Sequence, residues 1–358
     1  MTSISDVARR RLQSAGMLLA CVTLLACGGG EEDAVDAPPS SGVASRIDTG
    51  VDTATKAATT QRRAKPYSRR GVTALAIAPE GSTIAVVSHD GGVRLFDAAT
   101  VELRTTLRGH GADPATGVLF SADGRKLASV GRDSVVRVWD VASGRAGAAL
   151  HGSEGAIRAV AATADGALVA SAGESTRVML WDARSGKLKR ALGGATDFIN
   201  ALAFSPDGRW VAAGSADARV LVWDVMTGRL VHALRGHTDE VNALAFSPDG
   251  RLLASAGEDA RVLIRDVAQG RQVQALDTHR SAVRALGFNR DGSRLASGGE
   301  RGTLLLWDAT NWQLSRGLVG STAAINAVVF DPKRTELLFA GDEDDRVARW
   351  DVVAGAKQ

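Results

Sequence analysis

The chain has two cysteines in 358 residues, one tyrosine and an aromatic content of 4%. Both cysteines, Cys21 and Cys27, lie near the N-terminus, so the rest of the chain holds neither a free thiol nor a disulfide. A cysteine-free body is compatible with an oxidising compartment and does not demand one. With so few aromatic rings, any core must lean on Val, Leu, Ala and Ile. Long apolar runs are missing too. The longest, Gly16 to Ala26, is too short for the ~20 residues that span a bilayer. No Gly-rich loop opens a helix, no His/Cys/Asp/Glu cluster has metal spacing, and no Gly-x-Ser-x-Gly elbow occurs. No metal, cofactor or catalytic residue is therefore expected. No basic block interrupts the body of the chain, and Arg62-Arg63-Ala64-Lys65 with Arg69-Arg70 reads as a solvated edge. Taking Arg9, Arg10, Arg11 and Asp6 away from 43 basic and 40 acidic residues leaves 40 against 39. Nucleic acid is not an expected partner.

What is present is a period. An aromatic-Asp or Arg-Asp dipeptide recurs at Phe96-Asp97, Trp139-Asp140, Trp181-Asp182, Trp223-Asp224, Arg265-Asp266, Trp307-Asp308 and Trp350-Asp351, spaced 43, 42, 42, 42, 42 and 43 residues apart. A fixed period in this range marks a repeat architecture. One unit reads as four strands. Val241–Phe246 is the first, and Ser247-Pro248-Asp249-Gly250 turns the chain, with Pro pre-setting φ and Gly relieving strain. Leu252–Ala256 and Arg261–Asp266 flank a tight turn, and Gln272–Leu276 is the fourth. Four short strands cannot bury both faces alone, whereas stacking such sheets around an axis does. The spacing, the Gly-His before the first strand and the Trp-Asp after the third resemble the WD-repeat β-propeller family over roughly 300 residues. The resemblance implies an all-β, seven-bladed propeller of four-stranded antiparallel blades spanning 59–358.

The N-terminus is different. Arg9-Arg10-Arg11 precedes the apolar stretch, a pattern read as a secretory signal over 1–26. Leu24-Leu25-Ala26-Cys27 resembles the lipobox of bacterial lipoproteins, which implies cleavage before Cys27 and its lipidation. Leu18-Leu19-Ala20-Cys21 also fits the box but leaves a shorter apolar run. An ordinary cleaved signal or an uncleaved anchor stays open. Residues 27–58, with Gly28-Gly29-Gly30, then Glu31, Glu32, Asp33 and Asp36, then Pro38-Pro39, are expected to be a disordered tether. The expected location is a bacterial envelope, at the outer membrane where there is one, because Gly28 is not the Asp of inner-membrane retention.

Closure of the ring needs a fourth strand for the last blade. Only Val352–Gln358 follow Trp350-Asp351, which appears too short. Thr60–Lys65 falls in fourth-strand register and is expected to pair with Arg346–Trp350. This N-terminal strand joins the last blade, as the family resemblance implies, and removes an exposed edge.

The resemblance also implies a structural set of His, Ser/Thr, Asp and Trp in each blade, since buried polar groups need partners. Blade two has all four: His110, Ser129, Asp133 and Trp139. Blade five has His237, Ser255 and Asp259 but Arg265 for Trp. Blade six has His279, Ser297 and Trp307 but Arg301 for Asp. Blade four keeps Asp217 and Trp223, with Ala195 for His. Blade three keeps Ser171 and Trp181, with Ser153 and Ser175 substituting. Blade one keeps Asp90 with Phe96. Blade seven keeps Asp344 and Trp350, with Ser321 for His.

Function should lie where the copies differ. One set follows the first apolar residue of each first strand: Thr73, Thr116, Arg158, Asn200, Asn242, Arg284 and Asn326. Another precedes the tight turn: His89, Arg132, Glu174, Ala216, Glu258, Glu300 and Glu343. By register both crowd the mouth of a central channel. They form either a partner-binding ring suited to a basic peptide or a self-satisfied rim. The expected protein is a monomeric, non-catalytic, lipid-anchored scaffold that binds protein or peptide partners through this top face. The rival readings are an envelope enzyme or small-ligand sensor using the channel, and a cytosolic protein without a signal. Deleting residues 28–68 is expected to lower the Tm sharply. An unchanged Tm excludes the N-terminal closure.

Overall fold

The computed structural model describes residues 71–151, 155–318, 321–353 and 356–357. They form seven sheets, each of four antiparallel strands in sequence order, with no α-helix among the described residues. The first strands are Val72–Ile77, Ala115–Phe120, Ile157–Ala162, Ile199–Phe204, Val241–Phe246, Val283–Phe288 and Ile325–Phe330. Each is flanked by the first strands of the two neighbouring blades, so seven inner strands circle the axis. In blades one, two, five and seven every residue of this strand is buried. A strand covered on both faces has no reason to alternate, and these read as near-continuous apolar runs. The fourth strands lie at the outside and are mostly exposed, as in Leu188–Leu192 and Leu230–Leu234. Burial therefore falls from the axis to the rim.

The turns explain the regularity. Ser247 Oγ donates to Asp249 Oδ1 at 2.6 Å and accepts from the Leu252 N–H at 2.9 Å, while Gly250 takes φ +72°. Ser121, Thr163 and Ser205 make the same hydroxyl–carboxylate bond in blades two to four. A side chain that replaces a backbone turn bond fixes the hairpin locally.

Blades seven and one meet directly. Asn326 Nδ2 donates to the Val72 carbonyl at 2.8 Å, Ser88 Oγ donates to Asp345 Oδ1 at 2.8 Å, and Arg349 Nη1 donates to the Ala99 carbonyl at 2.7 Å. The C-terminal tail proves long enough for a short fourth strand: Ala356–Lys357 pairs with Asp351 and Trp350. This corrects the expectation that the tail is too short for a fourth strand, because a turn directly after Asp351, at Val352-Val353, leaves residues enough for a two-residue pairing. The pairing reaches only the end of Val347–Asp351. Thr60–Lys65, the signal segment, Cys27 and the 27–58 tether lie outside the described residues.

Candidate functional site

The buried polar sets come first, because they hold the most histidine and aspartate. In blade two, His110 Nδ1 is 3.0 Å from both Asp133 oxygens, His110 Nε2 is 2.7 Å from Ser129 Oγ, and Trp139 Nε1 donates to the same hydroxyl at 2.8 Å. Trp181 donates to Ser171, and Trp307 to Ser297, each at 2.8 Å. Blade four lacks the serine, and Trp223 Nε1 turns to the Gly193 carbonyl at 3.1 Å. There Thr196, next to Ala195, supplies the hydroxyl that donates to Asp217 at 2.9 Å.

Blade five corrects the expectation of a missing fourth member. Arg265, 2% exposed, donates from Nη1 to Ser255 Oγ at 2.9 Å and from Nη2 to the Arg235 carbonyl at 2.8 Å. A guanidinium has several N–H donors, so it can occupy the indole position and make the same bond. His237 bridges Asp259 at 2.9 Å and Ser255 at 2.9 Å. Blade seven differs too. Ser321 Oγ donates to Asp342 Oδ2 at 2.7 Å, whereas Asp344 is an exposed partner of Arg346 at 3.3 Å. Blade one uses an Asp90–Arg94 ion pair, and Ser153 of blade three lies outside the described residues.

These Asp–His–Ser arrays share the order of a serine-nucleophile triad. Ser129 and Ser255 are 0% exposed, however, and each hydroxyl already accepts an N–H from the third strand. No substrate can reach them, so they hold blades together. No group of three or more His, Cys, Asp or Glu among the described residues could hold a metal. The aspartates after the tryptophans cap turns. Asp182 is held down to about 2 by the Ser185 backbone N–H, the Ser185 hydroxyl and Lys189.

The channel mouth is built by bulges. In every blade the pairing of the first strand slips at its second residue, which leaves Thr73, Thr116, Arg158, Asn200, Asn242, Arg284 and Asn326 out of register. A bulge leaves one residue unpaired and re-aims its side chain. Thr73 and Thr116 turn back on the backbone, donating to Val87 O at 3.0 Å and Ile157 O at 2.6 Å. Asn326 also turns to the backbone, at the Val72 carbonyl, and the other four join a network with charged residues. Arg158 Nη1 donates to Asn200 Oδ1 at 3.2 Å, and Asn200 Nδ2 donates to Glu240 Oε2 at 2.9 Å, linking blades three, four and five. The Arg158 guanidinium also lies 4.6 Å from the Phe198 ring centroid and 3.9 Å from Glu174. Asn242 Nδ2 donates to Glu258 Oε1 at 2.6 Å, and Arg284 Nη2 donates to Glu300 Oε1 at 2.9 Å.

Access sorts these residues. Asn200, Asn242 and Asn326 are at most 1% exposed, so they orient neighbours and do not themselves present a surface. Asn242 Oδ1, Asn326 Oδ1 and Arg284 Nε are buried with no hydrogen-bond partner among the described residues. Glu174, Glu343 and Arg132 are exposed, and Glu258 and Glu300 are half-buried. Glu240 and Phe198 belong to the same arc and were missed in the sequence. Their only signal there is an acidic residue at the same loop position, Asp197-Phe198 before Ile199 and Asp239-Glu240 before Val241.

Two substitutions test the buried sets. Arg265→Met should cost about 1–3 kcal/mol by leaving buried acceptors without their donor, while Arg265→Trp should retain most of the stability in chemical denaturation. His279 Nδ1 has no partner because Arg301 replaces Asp, and burial lowers the His279 pKa from 6.5 to about 4. The unfolded chain therefore takes up this proton first. Its penalty is absent above pH 6.5, grows as pH falls through that value, and levels off below about 4. Wild type should lose Tm over this window faster than His279→Gln, and parallel Tm curves would contradict the assignment.

Comparison with known families agrees with the geometry. The model described as WD domain, G-beta repeat, matches residues 186–224, 228–266 and 270–308. That described as Nucleolar protein 10-like, N-terminal domain, matches residues 15–183, which include the first two blades and three strands of the third. The chain thus carries WD40 repeats, folded into a seven-bladed β-propeller.

Proposed function

We propose that this protein is a non-catalytic interaction scaffold that binds a protein or peptide through the charged mouth of its channel. WD40 propellers commonly bind protein partners, which is the coarse basis of the reading. The observation that carries the finer one is the arc Arg158–Asn200–Glu240, with Asn242–Glu258 and Arg284–Glu300 continuing it. Buried amides hold the carboxylates before any partner arrives. Ordering costs on binding are correspondingly small, the usual advantage of a preorganised site. The exposed ends of the arc are mostly Glu, so the partner's matching segment is basic. Arg132 and Arg158 add register, because misplaced like charges are repelled.

The same reading places the chain, as a monomer, on a bacterial envelope through lipid at Cys27. It rests on Arg9–Arg11, the apolar stretch and Leu24-Leu25-Ala26-Cys27. A single acyl chain anchors marginally, so two or more chains are required for stable attachment.

One experiment addresses both halves. Wild type, Arg158→Glu/Arg284→Glu and Cys27→Ala are expressed, fractionated and used as bait. The double variant is expected to lose a subset of partners while remaining in the membrane fraction. Cys27→Ala is expected to leave the membrane. Identical partner sets for wild type and the double variant would overturn the channel-mouth assignment, and a membrane-bound Cys27→Ala would overturn the anchor.

A further inference from the structure

The first strands end on a large residue in six blades and on a small one in the third: Ile77, Phe120, Ala162, Phe204, Phe246, Phe288 and Phe330. At three interfaces this phenylalanine packs with the preceding blade. Phe246 shares an apolar cluster with Ala212 and Val222, Phe288 with Ala254 and Ile264, and Phe330 with Ala296 and Leu306. Where blade seven meets blade one, the smaller Ile77 shares its cluster with Phe339, which stands where every other blade has alanine. There the opposite wall makes up the lost volume. Between blades two and three neither wall does so, because Ala162 meets the interface whose alanine is Ala128.

At this interface lies a cleft of about 760 Å³ walled by Ala128, Val138, Leu150, Ala162 and Val169. The next interface, where Phe204 is present, has a rim cleft of about 740 Å³, but it is lined mainly by charged and surface residues such as Lys189, Arg190, Asp207, Arg209 and Asp224 and not by this deep apolar wall. Val138 is half-buried in the cleft at Ala162, while its counterparts Leu95, Leu180, Val222, Ile264 and Leu306 are at most 3% exposed. The volume of the Ala162 cleft lies in the ~300–1,000 Å³ range of small-ligand sites. Space with apolar walls is also the kind that accepts small aromatic molecules.

The mouth carries five charges, and four are committed. Asp123 accepts from Ser121 and Asp165 from Thr163, both at 2.6 Å, Asp182 is held by Ser185 and Lys189, and Lys126 reaches Asp140 at 3.0 Å. Arg184, also at the mouth, is exposed and has no hydrogen bond or ion pair among the described residues.

We propose that the cleft between blades two and three binds a small aromatic carboxylate. Its ring takes the space that phenylalanine fills at the sister interfaces, and its carboxylate meets the Arg184 guanidinium, a planar fork suited to that anion. This site lies apart from the channel mouth and stands whether or not the scaffold reading does.

Phenylacetate is the probe, with 2-phenylethanol as its neutral analogue, titrated onto the full-length chain and followed by ligand-observed NMR and thermal shift. Saturable phenylacetate binding is expected, lost in Ala162→Phe. Arg184→Gln should weaken phenylacetate several-fold and leave 2-phenylethanol unchanged. Ala128→Leu fills the cleft from the opposite wall and serves if Ala162→Phe does not fold, as judged by circular dichroism. The proposal is overturned if binding is not saturable, if it survives the filling variant, or if Arg184→Gln affects both probes alike.

Discussion

A serine hydroxyl buried in the second strand is the point on which most blades depend. Ser129, Ser171, Ser255 and Ser297 each accept an N–H from the third strand, and three of them also meet a histidine from the loop before the blade. An unmade bond here would leave several polar atoms stranded in an apolar interior, which costs more than the bond contributes when made. This asymmetry explains the solutions seen where the set is broken. Arg265 substitutes its guanidinium for an indole, and Trp223 finds a carbonyl when its serine is absent. The histidine and aspartate that might suggest chemistry are consumed by this architecture.

The second constraint is volume. Inner strands are covered by neighbouring blades on both sides, so a large residue on one blade requires a small one on the next. Phenylalanine against alanine recurs, and where Ile77 replaces the phenylalanine, Phe339 stands on the opposite wall. Packed interiors tolerate exchanges that conserve volume far better than those that do not. Ala162 beside Ala128 breaks this rule, and the cleft between these two blades is walled by apolar side chains that the sister interfaces cover.

The channel mouth arises from a third feature, the repeated bulge. One extra residue in each inner strand is left out of the ladder, and what the chain places there varies from Thr to Asn to Arg. The repeat supplies seven equivalent positions, and substitution at those positions supplies a charge pattern. Function in such a ring is therefore free to change without disturbing the serine-centred bonds, which lie in the second and third strands.

The sequence by itself determined the seven repeats, the four strands of the first six and three of the seventh, the turns and the members of the His110–Ser129–Asp133–Trp139 set. All of these follow from local chemistry: turn residues, period and the demand that buried polar groups be paired. It also identified Arg158, Asn200, Asn242, Arg284 and Asn326 as belonging at one level. Only the tertiary structure decided that Asn200 and Asn242 are buried supports, that Glu240 and Phe198 complete the arc, and that Arg265 can stand in for tryptophan. It alone decided that the tail after Asp351 returns as a strand and that a cleft lies at Ala162. The reason is common to all of them. A bulge, a cross-blade contact or an uncompensated volume depends on residues about 40 positions apart being brought side by side, as repeats of this period do when they stack. No local pattern records which pair will meet.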